Sequence, residues 1–394
     1  MEKSMGATNA KVSNHIPEDL AFSILSKLPL KSLKRFGCVH KSWALLFENL
    51  HFLNMYRNYF ISNNHSYYDG TSILLNGTNN PLLGEGFHPT LYLLSGERFE
   101  NMVKLDWPPP FLEDDSYIDI LSQTCVNGTL CLAQNHGLVK KCLFWNPTTD
   151  EFKIIPSSPF LYQSRYMEPL VTFHGFGYDH VRDDYKVVRW LVFFDITDVE
   201  DFSWEDYVDV DPMWEIYSLR SNSWTKLDIE MPSSCSNEKL HVDGVCHWWS
   251  INDDINSYDL PPRLVSFDLC NEVFLSTYLP SDMIVPLHSL YLTLLNGFIA
   301  FIIYDKTTTF HIRILGELGV KESWTKVFIV EPLPCIEYPI GVGQKGEIFF
   351  RKDDDELVWF DLSTQMIKEL GVKGIEHCCH IVIYKDSFLP IGGL

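Results

Sequence analysis

The sequence predicts a mainly β chain, a β-propeller with six blades favoured over seven, preceded by a small head of three short helices. Three observations predict it. The 394 residues are 46% hydrophobic and 14% aromatic, enough for a large core. From residue 70 onward the apolar pattern is that of short strands. A two-part unit also recurs about every 50 residues, the period of propeller blades.

One part of the unit is a turn ending in Gly, followed by an apolar run. It is seen in NGTLCLA from Asn127, DGVCHWW from Asp243, NGFIAFI from Asn296 and KGEIFF from Lys345, with GFGYD from Gly175 as a diverged copy. The other part is an aromatic with a second large apolar residue seven positions on: Trp145/Phe152, Tyr217/Trp224, Phe267/Phe274 and Phe360/Ile367. SWTK occurs at Ser223 and Ser323, each with a proline eight residues after its Trp, and Phe274 lies midway between the two Trp.

Each unit divides into four strands. In the first they are ILSQTCV, TLCLA, KCLFWNP and EFKIIP; in the fourth, YLTLL, FIAFIIY, FHIRIL and SWTKVFIV. Five units fit between residues 118 and 373. One strand, HIVIYKD from His380, is left at the end, and three precede the first unit: SILLN, TLYLLS and MVKLDW. Together they make a sixth, composite blade that joins the chain ends and removes exposed sheet edges. The units lack a Trp-Asp dipeptide and an opening Gly-Gly doublet.

The segment IPEDLAFSILSKLPLKSLKRFGCVHKSW (Ile16–Trp43) breaks the strand pattern. Pro17 suits a first helical position, and Glu18 and Asp19 complement the positive end of the helix dipole. Leu20, Ile24, Leu25 and Leu28 recur at helical spacing until Pro29 ends the run. A second short helix carries Leu33 and Phe36; a third carries Val39, Trp43 and Leu46 or Phe47. About 45 residues is near the lower limit for an independent core. The head holds more apolar side chains than one small bundle can hide, so a partner or the propeller must cover the rest.

Composition excludes several classes. The formal charge is −21 with no long Lys/Arg run, a field that repels phosphate backbones and anionic lipid. The first fifteen residues lack the apolar centre of a signal peptide. LYLTLLNGFIAFIIY (Leu290–Tyr304) is too short for a membrane helix, and its Asn-Gly marks a hairpin between two buried strands. Ten cysteines are scattered with no C-x-x-C, as expected of core residues in a reducing compartment. Adjacent residues of HCCH (His377–His380) alternate faces on a strand and cannot converge on one metal ion.

No G-x-S-x-G elbow, Walker loop or H-E-x-x-H is present, so no catalytic residue, metal or cofactor is expected. RKDDDEL (Arg351–Leu357) reads as a hairpin tip, not a calcium loop. In His247-Trp248-Trp249 the Trp pair reads as core with one ring exposed. DITDVEDFSWEDYVDVDP (Asp195–Pro212) has eight acidic residues and no basic one, and reads as an insertion on the propeller rim. Its Asp198, Glu200, Asp201, Trp204, Glu205, Asp206 and Asp209 form the candidate target-binding loop.

Two resemblances add to this. GFGYDHVRDDYKVVRW, YSLRSNSW, DGVCHWW and LVSFDL occur in an order and spacing that resembles the F-box-associated domain of plant F-box proteins, over about 270 residues. The head resembles an F-box in its Pro, Leu/Ile series, Leu-Pro, Lys-Ser-Leu and closing Lys-Ser-Trp, with His40 where Cys is often found. The resemblance implies a non-catalytic substrate receptor of an SCF-type ubiquitin ligase. It implies that Ile16, Pro17, Leu20, Ile24, Leu25, Leu28, Pro29, Leu33, Phe36, Val39 and Trp43 supply the surface docking a Skp-type adaptor, some facing the head's own core instead. Cullin and RING subunits would follow through that adaptor, and the propeller would hold a target protein of unspecified identity in the cytoplasm or nucleus.

The expected organisation is a disordered N-terminus (1–12), an F-box (13–54), a linker (55–70) and an F-box-associated propeller (71–390). The alternative from another class is a propeller enzyme or carbohydrate-binding protein whose helical head is only a cap. Oxidase-type propellers need metal ligands converging on the central axis, and no such set is legible here.

Overall fold

The computed structural model describes residues 18–28, 30–37, 43, 45, 46, 49, 51, 52, 55 and 56 of the head region. From 71 onward it describes all but 80–88, 112–117, 135–140, 163–166, 196–211, 234–237, 251–261, 281–282, 284–288, 305–308, 332, 334, 344, 377 and 392–394. The chain forms two compact units, Met1–Ser62 and Asn63–Leu394. The first carries helices α1 (Glu18–Leu25) and α2 (Leu30–Gly37).

The second unit is a six-bladed propeller of four-stranded antiparallel sheets. It opens with β1 (Thr71–Asn79), β2 (Pro89–Ser95) and β3 (Asn101–Leu105). Five sequential blades follow. They are β4 (Ile118–Ile120), β5 (Leu130–Gln134), β6 (Cys142–Asn146), β7 (Glu151–Ile154); then β8 (Met167–Asp179), β9 (Asp184–Asp195), β10 (Met213–Ser218), β11 (Ser223–Leu227). Next come β12 (Lys239–Val242), β13 (Val245–Ser250), β14 (Arg263–Asp268), β15 (Val273–Tyr278), and β16 (Leu290–Leu295), β17 (Phe298–Ile303), β18 (Phe310–Leu315), β19 (Trp324–Val330). The last is β20 (Ile336–Val342), β21 (Glu347–Lys352), β22 (Glu356–Asp361), β23 (Met366–Lys373). Finally β24 (His380–Lys385) pairs antiparallel with β1, from Thr71↔Lys385 to Asn76↔His380, and completes the composite blade β24-β1-β2-β3.

The recurring sequence unit has a direct structural meaning. Its aromatic pairs are residues opposite one another across the outer hairpin: Trp145↔Phe152, Tyr217↔Trp224, Phe267↔Phe274 and Phe360↔Ile367. Seven positions apart is the separation that a four-residue turn imposes. In each such turn the last residue is left-handed, with φ between 52° and 56° at Asp150, Asn222, Glu272 and Gln365. A side-chain oxygen at the turn's start holds it: Asp268 accepts the N–H groups of Cys270 (2.8 Å) and Asn271 (3.1 Å), and Asp361 those of Ser363 (2.7 Å) and Thr364 (3.2 Å). The inner hairpins use Asn127-Gly128, Asp243-Gly244 and Asn296-Gly297, with both residues at positive φ, the two-residue turn whose twist matches the strands.

First-to-second and third-to-fourth connections are therefore mostly short, with nine residues between β4 and β5 and eight between β18 and β19 as exceptions, and they lie at one end of the ring. Second-to-third and blade-to-blade connections start and finish at the other end, and most are long, 17 residues between β9 and β10. The chain enters β1 at Thr71, at the short-turn end.

Each inner strand is packed on both faces, because neighbouring blades cover both. Trp248 and Trp249 point to opposite sides of β13 and are each 0% exposed, so neither ring reaches solvent as the sequence had implied. Trp248 packs among Val188, Trp214 and Phe267. Trp249 packs with Phe301 (ring centroids 5.8 Å) and Trp324 (6.2 Å).

Two expected features differ. GFGYD is not a diverged turn: Gly175 and Gly177 lie inside β8, where a Cβ would come within 2.6 Å of the Cys246 side chain and 2.2 Å of the His241 ring. They allow the next blade to approach closely. ILSQTCV is not one strand either. Its ladder ends at Ile120↔Leu132, and when pairing resumes at Val126↔Thr129 the register has slipped by three residues. The excess, Gln123–Cys125, swings into the centre of the ring.

His174 and His247 are buried, at 0% and 1% exposure. His174 lies edge-on between Trp214 (4.5 Å) and Trp248 (5.2 Å). Burial, helped by the charge of Lys239, lowers its pKa from 6.5 to about 3; burial, helped by His241, does the same for His247. The unfolded chain takes up these protons as pH falls below 6.5 while the folded chain refuses them. The propeller should therefore lose about 1.4 kcal/mol per pH unit for each histidine between pH 6.5 and the folded values. Thermal melts from pH 7.5 to 5 should show a falling midpoint, with a shallower slope in His247→Gln.

Candidate functional site

Helical periodicity divides the head. On α1, Ala21, Phe22 and Leu25 are buried, whereas Leu20 and Ile24, one turn apart on the other side, are each 53% exposed. The helix begins at Glu18. Phe22 packs edge-on against Phe52 (5.5 Å), which stacks on Tyr56 (6.2 Å). On α2, Leu33 is 2% exposed and Phe36 38%, the latter edge-on to Trp43 at 6.0 Å. Leu45 is 56% exposed and Leu46 buried.

The structure thus sorts the residues expected to dock an adaptor. Leu20, Ile24 and Phe36 are exposed, Leu28 and Trp43 are half-buried, and Leu25 and Leu33 are turned away from solvent. These last two are among those that face the head's own core, a division expected of the set but not assigned residue by residue. Ile16, Pro17, Pro29 and Val39 lie outside the described residues, as does most of the expected third helix. Leu45 was not among the expected surface residues; two positions after Trp43, it falls outside the i, i+4 series and so gave no signal.

On the propeller, the chain itself crosses between the innermost strands. The Gln123 side chain donates to Leu292 O at 2.6 Å, and the Gln123 N–H donates to Lys239 O at 3.3 Å. Gln123 O accepts the Ile383 N–H (2.8 Å), the Cys125 N–H donates to Ile383 O (2.9 Å), and the Thr124 hydroxyl donates to His241 O (3.3 Å). Three innermost strands, β12, β16 and β24, are tied together through this crossing segment. Below it, at the short-turn end, lies a cavity of about 380 Å³ lined by Cys125, Tyr178, His180, His241 and Lys385 among others. Two of its polar groups serve turns: Tyr178 donates to Asp183, and His241 Nε2 accepts the Gly244 N–H at 3.2 Å. Burial lowers the His241 pKa to about 4, which keeps that nitrogen an acceptor.

The DHVRDDYK run, quoted above only as a resemblance, ties blades together. Asp179 accepts the Val181 and Arg182 N–H groups (3.0 Å each) and pairs with Lys186 at 3.0 Å. Lys186 also reaches Leu269 O (2.7 Å) and Glu272 (2.9 Å) in the next blade. Asp184 accepts the Ser218 hydroxyl (2.5 Å) and the Arg220 N–H (2.8 Å). Nearby, Arg189 pairs with Glu215 at 2.7 Å and lies 3.7 Å over the Trp224 ring, while Ser158 donates to the other Glu215 oxygen (2.7 Å). Leaving one such buried charge alone costs about 3–5 kcal/mol.

RKDDDEL is the β21–β22 hairpin tip, as expected: Arg351 pairs with Glu337 and Asp355, and Lys352 with Asp354 at 3.3 Å. Of HCCH, Cys379 is buried and His377 lies outside the described residues. Among the described residues no group of three or more His, Cys, Asp or Glu could hold a metal ion, and no helix is long and apolar enough to cross a membrane. Asp198, Glu200, Asp201, Trp204, Glu205, Asp206 and Asp209 all lie outside the described residues, between β9 and β10.

Comparison with known proteins agrees with these features. Residues 14–55 match the family described as F-box domain, and 90–389 that described as F-box associated beta propeller domain. Among Arabidopsis thaliana proteins, the chain is similar to F-box protein At3g16210, 35% identical over 54% of this chain and 47% of that protein. It is similar to F-box/kelch-repeat protein At3g23880 (24%; 84% and 83%) and F-box protein CPR1 (22%; 91% and 84%). Among solved structures, TolB from Acinetobacter baumannii is 10% identical with a TM-score of 0.46, covering 84% of this chain and 73% of that one. With most of its length matched, the chain belongs to the F-box-associated β-propeller family of F-box proteins.

Proposed function

We propose that the protein is the substrate-recognition subunit of an SCF-type ubiquitin ligase. One observation carries this: Leu20 and Ile24 sit one helical turn apart, each about half exposed, on a helix whose opposite face is buried. Phe36 and Leu45 add exposed apolar area in the same unit, which water covers poorly and a partner would cover well. The partner is a Skp-type adaptor, which brings the cullin and RING subunits. Leu28 and Trp43 extend the surface, and Ile16, Pro17, Pro29 and Val39 belong to it by the F-box resemblance.

The propeller holds a target protein. Catalysis is then by proximity: the receptor raises the local concentration of target lysines at the conjugating enzyme and makes or breaks no bond itself. The segment Gln123–Cys125 crossing between innermost strands favours this over a propeller that works through an open channel. Target capture falls to the end with the long connections, which bears the acidic segment between β9 and β10 and suits a basic target. The setting is cytoplasmic or nuclear.

Burying what remains exposed of Leu20 and Ile24 is worth on the order of 2–3 kcal/mol together. Leu20→Asp with Ile24→Asp should therefore weaken retention of purified adaptor by roughly a hundredfold or more in a pull-down. Undiminished retention would end the proposal. Stability should divide the other way. Leu33→Ala should cost the head about 2–5 kcal/mol in urea unfolding, whereas Leu20→Ser and Ile24→Ser should stay within about 0.5 kcal/mol. Amide replacement of Asp198, Glu200, Asp201, Glu205, Asp206 and Asp209 should reduce capture of basic targets in proximity labelling and flatten its salt dependence. An unchanged target set would remove the acidic segment from the site.

A further inference from the structure

Beyond β24 the chain stays on the propeller. It passes Asp386 and crosses the β6–β7 turn of the first sequential blade as the segment Ser387–Ile391. The seat under it is built. The Asn146 side chain, 0% exposed, donates its amide to Ser387 O (2.8 Å) and Leu389 O (3.3 Å). Glu151 accepts the Ile391 N–H (3.0 Å), and the Thr148 hydroxyl donates to Asp386 (3.3 Å). Ile391 is 5% exposed and joins the core that this blade shares with the next, which includes Val126, Tyr185 and Leu219. Gly128 makes room for the crossing: a Cβ there would come within 2.4 Å of the Ser387 side chain.

Asn146 marks the seat in the sequence. In two other blades the same turn position holds Asp268 and Asp361, whose carboxylates cap the turn. Asn146 Oδ1 caps its own turn in the same way, accepting the Thr148 N–H at 3.0 Å. A carboxylate could not also donate to the two carbonyls above it; the amide does. The outer side of the segment is loosely held. Phe388 and Leu389 are 83% and 58% exposed, and a cavity of about 680 Å³ lies along Leu389 and Pro390.

We propose that the blade β4–β7 carries a peptide-binding seat, occupied in cis by Ser387–Ile391, and that this segment is a releasable strap locking the closed ring. β24 makes the seam with β1, and the strap carries that seam across the β6–β7 turn into the core shared with β8–β11. One short segment thereby ties three blades. It has a single buried anchor, with its other large apolar side chains outside, so it opens at a lower free energy than the ring as a whole. Opening loosens the Thr71–Lys385 end of the seam first, because the strap leaves from there. It also uncovers the seat for a second peptide of the same chemistry. Such a peptide needs an apolar side chain preceded, two and four residues earlier, by the backbone carbonyls that Asn146 receives.

Amide hydrogen exchange of the full chain, read by mass spectrometry, tests this. In the wild type the strap should be protected, yet exchange well before β13 and β14. Asn146→Asp keeps the turn cap and removes the amide donor. Strap exchange should then rise by roughly tenfold or more, the Thr71–Lys385 end of the seam should follow, and β13 and β14 should not change. Ile391→Asp removes the anchor from outside the turn, and keeps the proposal testable should Asn146→Asp disturb folding. The full chain with Ile391→Asp should bind an added peptide SFLPIGGL, the sequence from Ser387 onward. The wild type should take it up far more weakly, because its seat is filled. Strap amides that exchange at the unprotected rate in the wild type would overturn the proposal. So would an Asn146→Asp chain whose blades all loosen alike or not at all. Failure of the Ile391→Asp chain to bind the peptide, or equal binding by both chains, would overturn it as well.

Discussion

The pairing of β24 with β1 is the constraint on which the rest depends. A propeller blade cannot bury either face by itself; its two neighbours do that, so the ring has to close before any blade is complete. Closure here joins residues about 300 positions apart, Ile73 with Ile383 and Leu75 with Ile381. Ile73, Leu74, Leu75, Ile381 and Val382 are all at or below 1% exposure, which places the seam among the most buried parts of the molecule. The crossing segment Gln123–Cys125 reinforces it from inside, since Ile383 bonds to both Gln123 and Cys125.

From closure follows a division of labour between the two ends. The short-turn end is tied by left-handed turn residues, side-chain caps and charge pairs that reach between blades, such as Lys186 to Glu272. Changing those residues disturbs two blades at once. Connections at the opposite end leave from strand termini already held by their ladders, so they can lengthen at small cost in loop entropy. The stretch of 17 residues between β9 and β10 is such a case. Sequence can vary there while the frame stays constant.

Much of this was legible in the sequence because it depends on local spacing. A seven-residue interval between aromatics is a hairpin with a four-residue turn, and Asn-Gly or Asp-Gly between apolar runs is a two-residue turn; both hold in the structure. The unread parts depend on non-local packing. Nothing in ILSQTCV distinguishes a plain strand from one with three residues of excess, because the distinction lies in its register against TLCLA. Gly175 and Gly177 look like turn glycines until Cys246 and His241 are placed against them. An exposed ring was expected in Trp248–Trp249 because half-covered strands alternate. A strand between two blades has no outer face, so alternation carries no information there. In the head, the F-box resemblance named the right stretch, but only helix geometry separates Leu25 and Leu33 from Leu20 and Ile24.

That geometry also explains why the exposed face of α1 is not a packing defect. Residues on an α-helix advance about 100° each, so Leu20 and Ile24 lie within about 40° of one another, while Phe22 lies about 200° from Leu20. Rolling the helix to bury the first pair would drive Phe22 away from Phe52, breaking the ring contact that continues to Tyr56. One face of this short helix can be sealed by the head, not both. On the propeller an exposed aliphatic side chain commonly has a lysine in the same strand, as Val103 has Lys104, Ile154 has Lys153 and Ile329 has Lys326. Between Leu20 and Ile24 lie only Ala21, Phe22 and Ser23. The stretch between these two exposed side chains therefore has no charge to discourage association.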